Sequence, residues 1–114
     1  MENQFRLEVQ RTGEATVLAM AGELDLESSA TLEEVLGTVD VPEPELLILD
    51  LREVEFMDSS GLAVVVKAHQ QALDAGQRFG VINGSPQVQR LLALTGMDER
   101  MTVVQTPEEL LGGG

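Results

Sequence analysis

The run LLILDL at residues 46–51 is the feature of this sequence that most constrains its fold. Its apolar residues do not alternate with polar ones, as they would in a strand with one face in water. A nearly continuous apolar run of this length is typical of a strand that is buried on both faces. Because such strands occur mostly in parallel sheets covered by helices, the run agrees with an α/β layer.

The segments before this run predict a hairpin and a helix. Apolar and polar residues alternate over residues 5–10, the letters RTGE form a turn, and residues 15–21 form a second strand that Gly22 ends. The letters ELDLESSATLEEVLGTV then predict a helix, with Ser28 or Ser29 as its N-cap. One stripe of this helix is apolar and consists of Leu32, Val35, Leu36 and Val39.

The segments after the run continue the alternation of helix and strand. A helix begins near Gly61 and is closed by Gly76. One of its faces carries Leu62, Val65, Val66, His69 and Leu73. A strand at 79–82 and a helix between Pro86 and Gly96 come next, and the apolar residues of that helix are Val88, Leu91, Leu92 and Leu94.

The last predicted elements are a strand at 101–104 and a short helix that Thr106 caps, with Pro107 in its first position. Together the elements predict a single α/β domain over residues 1–111, followed by a flexible glycine tail at 112–114. We expect an N-terminal hairpin and then alternating helices and strands in a mixed, mostly parallel sheet.

Composition and charge narrow the possible functions. Twenty acidic residues against seven basic ones give a formal net charge of −13. Such a chain repels phosphate backbones and anionic lipids, so we expect neither nucleic acid nor a membrane surface as a partner. The charge serves either solubility alone or complementarity to a basic patch on a protein partner.

The chain has no cysteine, which excludes disulfides and thiolate metal sites. We expect no metal and no cofactor. The N-terminal letters MENQFRLEVQ lack the basic start and apolar stretch of a signal peptide. We therefore expect a cytoplasmic protein.

The letters DSSG at residues 58–61 put an acid and two hydroxyls where a helix is predicted to begin. Ser59 or Ser60 can cap this helix, and its free N–H groups and dipole favour an anion nearby. Gly61 lets the chain turn tightly and leaves the loop open to an approaching surface. The same composition is also common in turns and caps that have no further role.

Two features near DSSG favour a docking surface. The helix that follows begins with apolar residues on every side, so Leu62, Ala63 or Val64 should remain near the surface unless the terminal helix covers them. Asp25, in the letters GELDLESSA, precedes another helix. Because such loops gather at one edge of a parallel sheet, Asp25 could lie near Asp58, although it could also be a solvated acid or a helix cap.

Three segments in this order carry a family resemblance: GELDLESSATLEE, LLILDLREVEFMDSSGLAVVVKAHQQA and GSPQVQRLLALTGMD. They resemble the sulfate transporter and anti-sigma factor antagonist (STAS) domain, and more closely the free-standing bacterial anti-sigma factor antagonists. The resemblance covers nearly the whole chain, and GELD followed by FMDSSGL is its most specific part. It implies that the helices pack mainly on one face of the sheet.

The resemblance also implies a partner-switching function. In this family the unphosphorylated antagonist binds an anti-sigma factor that is also a serine kinase, and this frees the sigma factor. The kinase phosphorylates the serine after the motif aspartate, here Ser59, and a serine phosphatase reverses the reaction. Asp58 and Asp25 match the positions that support docking and phosphotransfer, and Ser60 and Gly61 complete the motif.

Ser60, Gly61 and Leu62, which follows the motif, are predicted to bind the partner as well. A monomer is the default expectation for the free protein. The residues alone do not separate Ser59 from Ser60 as the phosphorylation site, and only the resemblance favours Ser59.

Other function classes are weaker. A hydrolase would need His69 near Ser59, but His69 lies about 13–15 Å along the helix at ~1.5 Å per residue. A nucleotide site lacks the phosphate-binding GxxxxGK[ST] motif, and a receiver module would place its lysine after a late strand, whereas Lys67 lies within a helix. We therefore expect no enzymatic activity. The main alternative is a scaffold domain of a larger signalling complex, which co-purification would distinguish.

Overall fold

The computed structural model describes residues 5–13, 15–39, 41 and 45–111. The predicted glycine tail at 112–114 lies outside these residues. The elements in chain order are β1 (Arg6–Thr12), β2 (Ala15–Leu24), α1 (Leu26–Thr38), β3 (Leu46–Met57), α2 (Ser59–Asp74), β4 (Arg78–Ile82), α3 (Pro86–Leu94), α4 (Met97–Arg100), β5 (Val103–Val104) and α5 (Glu108–Leu111).

The strands form a sheet in the order β1-β2-β3-β4-β5. β1 pairs with β2 in antiparallel fashion, and the pairs β2–β3, β3–β4 and β4–β5 are parallel. This confirms the predicted hairpin and the mixed, mostly parallel sheet. β3 lies at the centre of the sheet, and residues 46–51 are buried, as predicted for a strand that is covered on both faces.

The two faces of the sheet are covered unequally. Alternate residues of β3 belong to two apolar clusters: Leu47 and Leu49 to the larger, Leu46 and Ile48 to the smaller. α1, α2 and α3 all contribute to the larger cluster, through residues that include Leu32, Val65, Val88 and Leu92. The smaller cluster receives Leu110 from α5. The helices therefore pack mainly on one face, as the family resemblance implies.

β2 and β3 are longer than predicted. The predictions that Gly22 ends the second strand and that the central strand stops at residue 51 are wrong, because the two strands stay paired up to Leu24 and Met57. Their register shifts between Ala19 and Ala21 and again between Gly22 and Glu23, and at each shift β3 has one more residue than β2. These bulges carry β3 to the residue just before Asp58.

The chain after α3 differs in detail from the prediction. Gly96 has a φ of 75°, which suits a helix end, but the short helix α4 follows it directly. The predicted strand at 101–104 shrinks to Val103–Val104, since Met101 bonds back to α4 through its N–H group. No helix in the described ranges is long and apolar enough to span a membrane.

Candidate functional site

Asp58 is the N-cap of α2. Its carboxylate Oδ1 accepts hydrogen bonds from the N–H groups of Ser60 at 2.9 Å and Gly61 at 3.1 Å. The prediction that Ser59 or Ser60 caps the helix is therefore wrong, because the Asp58 carboxylate accepts the hydrogen bonds from the N–H groups of Ser60 and Gly61. The hydroxyl groups of the two serines do not cap the helix.

The two serines differ in their access to solvent. Ser59 occupies the first position of α2 and is exposed, whereas Ser60 is half-buried. The Ser59 hydroxyl therefore stands at the positive end of a helix dipole, where a second macromolecule can reach it.

Asp25 is the N-cap of α1 and forms a reciprocal pair with Ser28. The Ser28 N–H donates to Asp25 Oδ1 at 3.1 Å, and the Asp25 N–H donates to Ser28 Oγ at 2.9 Å. The predicted N-caps Ser28 and Ser29 are therefore wrong, since both serines lie inside the helix. Of the two structural alternatives for Asp25, a solvated acid or a helix cap, the structure shows the helix cap.

The Asp25 and Asp58 loops lie side by side at the carboxyl edge of the sheet. Leu24 and Met57, which precede the two aspartates, are paired across the β2–β3 ladder. The Asp58 N–H also donates to the Leu24 carbonyl at 3.3 Å. The structure thus brings together the two loops that the parallel arrangement predicts to be neighbours. The N-termini of α1 and α2 therefore lie side by side at this edge.

Gly61 is buried in the first turn of α2 and is not part of a tight turn. A Cβ atom there would lie 2.6 Å from the Leu24 carbonyl oxygen and 2.8 Å from the Leu24 and Met57 side chains. Glycine is needed because α2 begins directly against the end of β2. The prediction that Gly61 permits a turn and keeps the loop open is wrong in its reason, and we expect any part it plays in partner binding to be indirect.

Exposed or half-buried apolar side chains lie close in sequence to both aspartates. Leu26, which directly follows Asp25, is 75% exposed, and Phe56, two residues before Asp58, is 41% exposed. In the first turns of α2, Leu62 is half-buried, Ala63 is exposed and Val64 is buried. We call Leu26, Phe56, Leu62 and Ala63 the apolar rim.

Sequence reasoning predicted the half of the apolar rim on α2 but missed Leu26 and Phe56. The sequence did contain a signal that Leu26 is exposed. Leu26 is an apolar residue at the start of α1, before the apolar stripe that begins at Leu32 and faces the core. An exposed apolar group beside polar loops is typical of a surface that contacts a partner.

His69 lies away from this edge. Its ring packs against Phe79 of β4 with the ring centroids 5.4 Å apart and the planes tilted by 53°. His69 is half-buried, as predicted for a residue on the helix face. It therefore packs within the fold and is not positioned to act on Ser59.

Asp50 is an acid on the other face of the sheet. It is buried in β3, and Arg52 holds it with side-chain hydrogen bonds of 2.8 and 3.0 Å. Burial raises the pKa of Asp50, but the hydrogen bonds and charge of Arg52 outweigh it and bring the pKa below its ordinary value. This pair is a structural feature of the sheet and lies apart from the edge that carries Ser59.

Within the described part of the chain, no cluster of three or more acidic or histidine side chains is arranged to hold a metal ion. The fold described above is that of a small α/β domain, and Ser59 is exposed at the edge of the sheet where α1 and α2 begin. The chain belongs to the STAS domain family, whose model matches residues 6–110.

Comparison with individual proteins agrees with this assignment. The chain is 34% identical over 97 residues to the anti-sigma-F factor antagonist RsfB of Mycobacterium tuberculosis, which covers 85% of this chain and 79% of the relative. It superimposes with a TM-score of 0.86 on an anti-sigma factor antagonist from Mycobacterium paratuberculosis, at 28% identity over 96% of this chain and 93% of the other.

A second similar structure is that of the Bacillus cell fate determinant SpoIIAA in its phosphorylated form. The TM-score is 0.69 at 25% identity, over 95% of this chain and 96% of SpoIIAA. The resemblance to STAS domains and to anti-sigma factor antagonists is thus confirmed.

Proposed function

We propose that this protein is an anti-sigma factor antagonist controlled by phosphorylation of Ser59. In its unphosphorylated form it binds an anti-sigma factor with serine kinase activity and so frees a sigma factor. The observation that carries the proposal is the exposed position of Ser59 at the start of α2, where Asp58 performs the capping. The names of the relatives, and a solved relative in phosphorylated form, support it.

The start of α2 can accept a phosphate without loss of the fold. Phosphorylation adds about −1.5 to −2 charges and three acceptor oxygens. At an exposed helix N-terminus such a charge gains about 0.3–1 kcal/mol from the dipole. The hydrogen bonds that build the local structure come from Asp58 and the backbone, and the Ser59 hydroxyl makes none of those described above.

The effect of the phosphate therefore falls on binding. It brings more negative charge beside the Asp58 and Asp25 carboxylates and adds bulk next to the apolar rim, which the partner must contact closely. A loss of only about 3 kcal/mol weakens binding roughly a hundredfold. A switch of this size needs no rearrangement of the protein.

Ser59 is a better acceptor than Ser60 because Ser60 is half-buried and its N–H group is bonded to Asp58. We further propose that a serine phosphatase restores the active form, that the protein acts in the cytoplasm as a monomer when free, and that it is not itself an enzyme.

The proposal is tested by using Ser59→Ala, Ser59→Asp and the matched control Ser60→Ala as bait in a pull-down from cell extract. We expect Ser59→Ala and Ser60→Ala to capture a kinase-like partner, and Ser59→Asp to lose it while melting close to the wild type. Tandem mass spectrometry after kinase treatment should find phosphate on Ser59.

A fully Ser59-phosphorylated sample that binds its partner as tightly as the unmodified protein would contradict the proposed switch. Capture of a large assembly without a kinase would favour the scaffold function.

A further inference from the structure

Among the residues that the structure describes, the end of β3 has no strand partner on its β4 side. The β3–β4 pairing stops at Asp50 and Ile82, while β3 continues to Met57. The last residues of β3 are therefore paired with β2 along one side only. Backbone groups at such an edge need other partners if they are shielded from water.

The first turn of α3 supplies those partners. The Ser85 hydroxyl donates to the Glu55 carbonyl at 2.8 Å. The Gln87 side chain forms two bonds to a single residue: Met57 N–H donates to Gln87 Oε1 at 2.8 Å, and Gln87 Nε2 donates to the Met57 carbonyl at 2.9 Å. The Gln87 amide thus replaces a neighbouring strand at this one position, and we call this pair of bonds the Gln87 clamp.

The clamp acts at the residue that leads into the site. Met57 directly precedes Asp58, whose carboxylate sets the start of α2 and the place of Ser59. Met57 is bonded to α3 through both backbone groups, and the next N–H, that of Asp58, is bonded to Leu24 of β2. The chain entering the Ser59 loop is therefore fixed from both sides.

We propose that Gln87 is a positioning residue for the Ser59 phosphoacceptor. This rests on the proposed function, since it concerns how the same hydroxyl is presented to the kinase. Transfer needs the acceptor oxygen about 3–3.5 Å from the reacting group, and a displacement of about 1 Å can cost roughly a hundredfold in rate. Without the clamp, the Met57 side chain stays in the core, but its backbone N–H and carbonyl lose their partners on α3, and the Asp58 cap and Ser59 are then positioned less firmly.

The test compares Gln87→Met with Gln89→Met. Methionine keeps the length of the side chain and removes both bonds to Met57. Gln89 is a matched control because it lies on the same helix, is exposed, and bonds through its Nε2 to the Gly84 carbonyl at 3.0 Å, away from Met57.

The first measurement is amide hydrogen exchange in the isolated protein. We expect Gln87→Met to speed exchange at Ser60 and Gly61 about tenfold or more, while Leu49 in the middle of β3 keeps its protection. Gln89→Met should leave all three amides as in the wild type. Equal acceleration at Leu49 would show global destabilisation only and would overturn the positioning role.

The second measurement is the kcat/KM of Ser59 phosphorylation by the captured kinase. We expect a loss of about tenfold or more for Gln87→Met and none for Gln89→Met, at a temperature where both variants are folded. A wild-type rate for Gln87→Met would overturn the inference. If wild-type Ser59 is not phosphorylated at all, the proposed function fails, and the exchange of Ser60 and Gly61 alone decides whether the clamp positions the loop.

Discussion

Single residues at the edge where α1 and α2 begin have separate structural roles. Asp58 satisfies the N–H groups of Ser60 and Gly61, and the Ser59 hydroxyl is left to solvent. Gly61 provides no contact surface, but its missing side chain lets α2 begin against Leu24. The position of the hydroxyl thus depends on neighbours that a partner does not have to touch.

Gly61→Ala should be destabilising because the added Cβ would overlap the Leu24 carbonyl and the Met57 side chain. We expect a loss of about 1–3 kcal/mol in the free energy of unfolding, measured by urea denaturation. Gly37→Ala in α1 is the control, since a Cβ there meets nothing within 4 Å. It should be neutral or gain up to about 1 kcal/mol. Equal stability of the two variants would show that the close approach at Gly61 is not needed.

The elements are predicted well where the signal is local. The period of the apolar residues is a local property, and it correctly predicts the order of the main helices and strands. The ends of β2 and β3 were missed because they depend on pairing between distant segments and on two register shifts. Serines were predicted as the caps of α1 and α2 because Asp and Ser are both good N-caps, and the backbone geometry decides between them.

The loops of the candidate site could be predicted from the sequence, but the side-chain contacts that hold these loops in place could not. Ser59, Asp58 and Asp25 follow from motif and topology. The Gln87 clamp does not, because it joins an amide to a backbone 30 residues away. The exposure of Phe56 likewise depends on the bulges that shift β3 against β2.

α1 offers a test of how two adjacent buried serines contribute to one element. Ser28 completes the capping pair with Asp25 and donates to the Glu23 carbonyl at 2.6 Å. Ser29 is 4% exposed, and its hydroxyl has no hydrogen-bond partner among the described residues. The same chemical group should therefore have opposite effects at the two positions.

Ser29→Ala should raise the free energy of unfolding by about 1 kcal/mol, because it removes a buried polar atom that is unpaired. Ser28→Ala should lower it by about 0.5–2 kcal/mol through loss of the cap partner. Thermal melts of the two variants beside the wild type measure both changes. A destabilised Ser29→Ala would mean that the Ser29 hydroxyl finds a partner in solution.

For the whole molecule, the net charge of −13 favours a partner with a basic surface. This is the alternative to a charge that serves solubility alone. The edge where α1 and α2 begin agrees in part with a basic partner, because Asp25 and Asp58 are the N-caps there and Ser59 is exposed. In that case the net negative charge of the whole protein would attract the basic partner, and a phosphate at Ser59 would change only the local contacts.

Association with the anti-sigma factor should depend on salt if the charge attracts the partner. We expect the association rate constant to fall about tenfold or more between roughly 50 and 500 mM NaCl, since the Debye length shrinks from about 14 to 4 Å. The dissociation rate constant should change much less, and stopped-flow binding measures both. An association rate that does not respond to salt would assign the charge to solubility alone.

The two additional residues in β3 have a consequence for how this chain can vary. Because successive side chains of a strand point to opposite faces, removal of one residue between Asp50 and Phe56 would turn Val54 out of the core or pull Asp58 back from its helix. Substitution of its exposed residues Arg52, Glu53 and Glu55 should disturb the fold less than a change in the length of the segment. The position of the Ser59 hydroxyl therefore depends on the number of residues between the centre of the sheet and Ser59.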